Sequence, residues 1–288
     1  MLRKKELLTK SLEAIFVNMD FGFLTGNRRL TNGENEEPRE VSIFMGKILY
    51  DMEEASKAAS EITECPNKEG DCNYDLITYG ERMMWCPVFR TVNDINETGK
   101  CKYASKLADK FRCNVKSGLA KYSGVPKRHI EKFDDMHESD ALREALMYDY
   151  RDFLVLCGPV GTGKSFIAAY LCYRWALDSY GGYFKNEAEW GEVAARLREQ
   201  VGWYTAYEVA AATCQDQWDI ASKYRVLVID DLGIEDNTPR SIAAINFMVS
   251  KRYDHGEDMA TIITGNMTTD DITGRYGKRL TDRLIENG

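Results

Sequence analysis

The spacing of apolar positions changes partway along the chain. From Lys102 to Tyr122 they recur every four residues, at Tyr103, Leu107, Phe111, Val115 and Leu119, which predicts an amphipathic helix. Ser123-Gly124-Val125-Pro126 ends it. Beyond Arg151 the apolar residues gather into short unbroken runs at 153–157, 226–229 and 260–263. Runs of that length read as strands buried on both faces. Helical stretches at about 164–177, 206–214 and 239–253 separate them. Strands alternating with helices predict a parallel sheet covered on both sides.

The first hundred residues read differently. Residues 31–40 are polar, acidic and contain Gly and Pro, so a loop is expected there. A helix is expected over about 41–62. Residues 63–101 hold four cysteines and two prolines, poor material for a core without a metal staple. The expected organisation is a smaller, mainly helical, cysteine-rich domain over 1–101 that binds a partner. A basic amphipathic linker helix follows at 102–123, and then an α/β parallel-sheet domain at 124–288.

Composition narrows the classes. The chain has 288 residues and a net charge of −8, which argues against a protein that coats DNA, since phosphate binding needs positive surface. The longest nearly apolar stretch, 166–177, is interrupted by Arg174 and is too short to span a bilayer. Met-Leu-Arg-Lys-Lys-Glu-Leu-Leu at the start has no apolar region followed by small residues, so no signal peptide is expected and the cytoplasm is the expected location. Eight cysteines without a secretory signal argue against a disulfide framework. Cys157, Cys172 and Cys214 sit in apolar contexts and read as small core residues.

The first apolar run leads into Gly158-Pro159-Val160-Gly161-Thr162-Gly163-Lys164-Ser165 and then an apolar helix. This is the phosphate-binding pattern G-x-x-x-x-G-K-[ST] in its strand–loop–helix setting. Glycines let backbone N–H groups curl around phosphate oxygens, and the helix N-terminus adds positive charge. Lys164 is expected to reach the β- and γ-phosphates of ATP, and the Ser165 hydroxyl to ligate Mg²⁺. The second run delivers Asp230 and Asp231. Asp230 is expected to hold Mg²⁺, and Asp231 to polarise the attacking water. The third run ends in Thr264-Gly265-Asn266. Asn266 is expected to hold the lytic water or the γ-phosphate, with capping of the next helix as the lesser alternative. Arg275, Arg279 and Arg283 follow in one stretch. Arginines of this kind neutralise transition-state charge, often from a neighbouring subunit, although a solvated helix face is the commoner meaning of such a run.

Together these pieces resemble the AAA+ ATPases, and within them the DnaC/DnaI helicase-loader group and its IstB transposition relatives. The resemblance covers about residues 123–288. Gly124-Val125-Pro126-Lys127-Arg128 followed by Phe133-Asp134-Asp135 looks like that group's opening segment. Leu227-Val-Ile-Asp-Asp-Leu-Gly233 resembles its second motif, Arg252-Tyr253 its Arg-Tyr pair, and Thr264-Gly-Asn266 its sensor position. Arg283 falls where the family's arginine finger lies, with Arg279 as second choice. The resemblance implies a P-loop AAA+ fold, ATP and Mg²⁺ as cofactors, ATP hydrolysis, a homo-oligomer, and a ring-shaped replicative helicase as partner. Two departures stand out. Residues 178–201 look like an insertion. The family also continues with a strand beside the phosphate-loop strand, so an end at Gly288 would leave 153–157 as an exposed apolar edge, as in a truncated chain, unless another segment covers it.

Cys65, Cys72, Cys86 and Cys101 are the candidate Zn²⁺ ligands, since four thiolates close a tetrahedral site. Their spacings lack a C-x-x-C pair, so an iron–sulfur cluster, reduced cysteines without metal, or Cys113 as a substitute ligand stay open. Some DnaI-like loaders carry an N-terminal zinc module, so the resemblance implies helicase contact through residues 1–101. Between Lys100 and Lys132 lie ten Lys or Arg and two acids. With Tyr103 and Tyr122 this track fits single-stranded DNA. A basic face that is solvated or docks on an acidic partner fits better, because Tyr103 shares the apolar stripe. The expected function is an ATP-dependent helicase loader. The alternatives are an IstB-like transposition ATPase and an adaptor that binds ATP with little turnover.

Overall fold

The computed structural model describes residues 76–79, 82–86, 88–89, 92–137, 139–255 and 259–285. All belong to one compact unit, Glu54–Gly288. The loop expected at 31–40, the helix expected at 41–62, Cys65 and Cys72 lie outside the described residues. Within 63–101 the described part includes an antiparallel hairpin, β1 (Leu76–Tyr79) and β2 (Arg82–Trp85), with Leu76 opposite Trp85.

Helix α1 (Lys102–Tyr122) forms as the four-residue spacing predicts. Its Leu107, Phe111, Val115 and Leu119 are buried. Tyr103 is half-buried, its ring 5.2 Å from that of Phe89. The Cys101 thiol accepts from the Ala104 N–H at 3.4 Å and so caps the helix. Lys110, Arg112, Lys116 and Lys127 of the basic stretch each pair with an acid. Two short helices, α2 (Lys127–Ile130) and α3 (Asp140–Ala145), lead to the sheet.

The sheet is built from β3 (Phe153–Cys157), β4 (Val201–Thr205), β5 (Val226–Leu232) and β6 (Ala260–Gly265). All pairings are parallel and the order is β3-β6-β5-β4. Between β3 and β4 run α4 (Lys164–Tyr180), two 3₁₀ turns and α5 (Trp190–Gln200). Then come α6 (Ala206–Ala211) and α7 (Cys214–Lys223) before β5, and α8 (Pro239–Tyr253) before β6. Helices α9 (Thr269–Tyr276) and α10 (Lys278–Ile285) follow.

Two cores cover the two faces. Val226, Val228, Ala260 and Ile262 face α1, α4 and α5. Leu227, Ile229, Leu232 and Ile263 face α8, α9 and α10. Fully buried Arg252 closes the N-terminal edge of the sheet, donating to Thr261 Oγ1 at 2.8 Å and to the Tyr224 carbonyl at 2.6 Å. Among the described residues no helix is long and apolar enough to cross a membrane.

Strand β4 and helix α7 were not predicted: Val-Gly-Trp-Tyr-Thr is short and begins directly at a helix end, where period alone does not decide. The stretch 178–201, expected as an insertion, is the end of α4, the 3₁₀ turns, α5 and the first residue of β4. Its Trp190 ring meets Phe111 edge-on at 5.7 Å, and Ser123 Oγ donates to the Leu197 carbonyl at 3.0 Å. Strand β3 lies at an end of the sheet, bonded among the described residues to β6 alone, with Leu154, Val155 and Leu156 half-buried.

Candidate functional site

The C-terminal ends of β3, β5 and β6 meet at one edge: Cys157 and Leu232 both lie opposite Gly265. That edge is where loops of a parallel sheet present ligand-binding groups. Residues 158–163 turn from β3 into α4. Gly161 and Gly163 both have φ of +85°, and a side chain there would meet nothing within 4 Å. Glycine is required by backbone conformation, then, and not by crowding. Gly163 caps α4 without a side-chain bond. The N–H groups of the first turn therefore remain available to an anion, backed by the dipole of a 17-residue helix.

Lys164 lies across this loop, its Nζ donating to the Gly158 and Pro159 carbonyls at 2.9 and 2.7 Å. Ser165 Oγ donates to Asp230 Oδ1 at 2.7 Å. The same Oδ1 accepts from Thr264 Oγ1 at 2.6 Å. Thr264 Oγ1 in turn accepts the Asp231 N–H at 2.9 Å. Asp230 is 3% exposed and Thr264 fully buried. Ser165 and Asp230 thus present hard oxygen donors side by side, the donor set that Mg²⁺ takes. Burial, then the charge of Asp230, pushes the Asp231 carboxyl above the ordinary range; Lys164 and Arg128 pull it back. Burial, then Arg128, lowers His129, while Asp230 opposes. The His129 ring lies 6.4 Å from those of Phe166 and Trp203, and its Nε2 is buried without a hydrogen bond. Helix α2 therefore packs against α4 and β4.

The other expected residues lie as follows. Pro159, Val160 and Thr162 are exposed in the loop, and Thr162 Oγ1 donates to the Pro159 carbonyl at 2.9 Å. Asn266 is exposed at the tip of β6, directly after Gly265. Arg283 lies on α10, where its guanidinium donates to Ser250 Oγ and sits 5.2 Å from the Tyr253 ring; no contact brings it to the loop of its own chain. Arg279 is exposed. Arg275 is engaged within the chain: it bonds the Gly233 carbonyl at 3.0 Å and the buried Glu235 carboxylate at 2.7 Å. It ties the loop after Asp231 to α9. Cys86 and Cys101 are buried, and among the described residues no cluster of three His, Cys, Asp or Glu side chains could hold a metal.

Sequence reasoning placed Thr264 in the sensor segment but gave it no role of its own. The signal was a pair of hydroxyls in an otherwise apolar strand, since a buried hydroxyl demands a partner. Thr261, at the other end of the same strand, finds Arg252 for the same reason.

No protein-family model matches the sequence, and no curated protein matches it. Solved structures do. The DnaC helicase loader is 17% identical, with a TM-score of 0.38 over 56% of this chain and 95% of its own. DnaI is 17% identical, with a TM-score of 0.36 over 53% of this chain and 85% of its own. AMPPCP-bound DnaA from Aquifex aeolicus is 16% identical, with a TM-score of 0.38 over 54% of this chain and 47% of its own. At these scores the likenesses carry none of the functional argument, which rests on the side chains themselves. Parallel sheet, phosphate loop and acidic second strand together give the expected α/β P-loop architecture.

Proposed function

We propose that the chain binds ATP with Mg²⁺ and hydrolyses it, and that it uses the cycle as a helicase loader. One observation carries the ATPase reading: Ser165, next to the loop lysine, is bonded to Asp230, which Asp231 follows directly. Lys164 and the N–H groups at the start of α4 bind the β- and γ-phosphates. Ser165 and Asp230 hold the metal. Magnesium, when bound, draws negative charge from the phosphate oxygens. Asp231 accepts the proton of the water that attacks the γ-phosphorus, and ADP leaves with the bridging oxygen. Asn266, at the neighbouring strand tip, orients that water. Arg283 serves the site of an adjoining copy. The helicase-loader role rests on the order of motifs, from the opening segment at 124–128 to the arginine at 283.

Two measurements test the reading. Phosphate release should be abolished in Lys164→Ala; equal activity in both forms would remove the ATPase. Pull-down with a replicative helicase should capture the intact chain, and no capture would remove the loader role. Tight ATP binding with no turnover at any concentration would favour the adaptor instead.

A further inference from the structure

Strand β5 changes phase at the acidic pair. Ile229 lies opposite Ile263 and Leu232 opposite Gly265, so Asp230 and Asp231 together face Thr264 alone. One residue more on one strand than on its neighbour is a bulge, and bulges re-aim side chains beside active sites. The core confirms the slip. Val226 and Val228 face the α4 side, Leu227 and Ile229 the other. Regular alternation would return Leu232 to the α4 side, yet it packs with Leu227 and Ile229. Asp231 is the inserted residue, with φ of +58°. That left-handed conformation is uncommon for a residue with a Cβ and needs its surroundings to hold it.

Thr264 supplies the hold. It stands on the α4 side in phase with Ile262. Its hydroxyl has a single proton, donated to Asp230 Oδ1, and accepts the N–H of Asp231. The bond to that N–H replaces the ladder bond lost in the bulge. One side chain thereby fixes the carboxylate of one aspartate and the backbone of the next.

We propose that Thr264 is a positioning residue that pins the bulge and so aims Asp231 at the phosphate loop. Resting on the ATPase reading, this assigns the step Thr264 serves: placing the proton acceptor rather than binding nucleotide. Without the hydroxyl the Asp231 backbone loses its anchor, and small misplacements of a catalytic group cost on the order of a hundredfold in rate.

The test compares Thr264→Val, which keeps the shape, with Thr264→Ser, which keeps the hydroxyl. The Val form should lose at least about tenfold in kcat with KM for ATP within about threefold, and the Ser form should recover most of it. Amide hydrogen exchange at Asp231 reads the bond without reference to catalysis: slow in the parent and the Ser form, fast in the Val form. If the Val form does not fold, Thr264→Ala takes its place. Unchanged exchange in the Val form, or a Ser form as slow in turnover as the Val form, overturns the proposal. A parent no more active than Lys164→Ala, with the exchange pattern as expected, removes the ATPase reading and leaves the pinned bulge standing.

Discussion

Asp230 and Asp231 are adjacent in sequence but differ in surroundings. Asp230 is buried under two hydroxyl donors, which suits a fixed metal ligand. Asp231 is half-buried with its carboxyl pushed up, which suits a proton acceptor. Asp231→Asn should therefore keep ATP affinity while phosphate release falls by about 10²-fold or more. Asp230→Asn should instead lose the part of ATP affinity that depends on Mg²⁺, measured by titration with and without the metal. His129 gives a pH prediction. Its folded pKa is depressed by burial, so the unfolded state binds its proton first as pH falls. Stability is then fully present above about pH 6.5 and declines below it. His129→Phe should remove that decline, seen as a smaller difference in Tm between pH 8 and pH 5.5. Much of this was legible from residue order alone: the loop, the lysine and both acids. Thr264 and His129 were not, because each matters through a partner distant in sequence.

Helix α1 meets α5 along a seam that tolerates little added volume. A Cβ on Gly118 would sit 3.1 Å from Leu197 Cδ1 and 3.5 Å from the Ala194 backbone. Gly118→Val should destabilise by roughly 1–3 kcal/mol, read from denaturant midpoints at unchanged slope. The loop after β5 depends on an ion pair instead. Glu235 is fully buried and is bonded by Arg275 and Tyr276. Removing Arg275 should cost about 3–5 kcal/mol, since an unpaired buried charge remains. That cost would appear as a lower Tm whether or not nucleotide is present, which separates Arg275 from an arginine acting only in catalysis. The four-residue period of α1 and the apolar runs of β3, β5 and β6 were legible in the sequence. Strand β4 was not, because five residues with a glycine carry too little period.

At the scale of the molecule, nucleotide should act on stability and on assembly. Mg-ATP at a hundred times its Kd should raise stability by about 2.7 kcal/mol. The gain should vanish in Lys164→Ala and shrink when EDTA removes the metal, both followed by thermal unfolding. If Arg283 serves a neighbouring copy, specific activity should rise with protein concentration. Mixing Arg283→Ala with Lys164→Ala should then yield activity that neither form has alone; no such activity at any ratio would remove the finger.

The sequence by itself determined that a phosphate loop joins a buried strand to an apolar helix, and that another strand ends in two acids. Those features are local: glycine geometry, strand burial and the N-terminus of a helix depend on residues a few positions apart. The tertiary structure decided what they do together. Parallel pairing brings residues 165, 230 and 264 within hydrogen-bond reach, and a one-residue slip in that pairing sets the direction of Asp231. Register between strands is a long-range property, settled by which side chains fill the two cores, and no spacing within one strand encodes it.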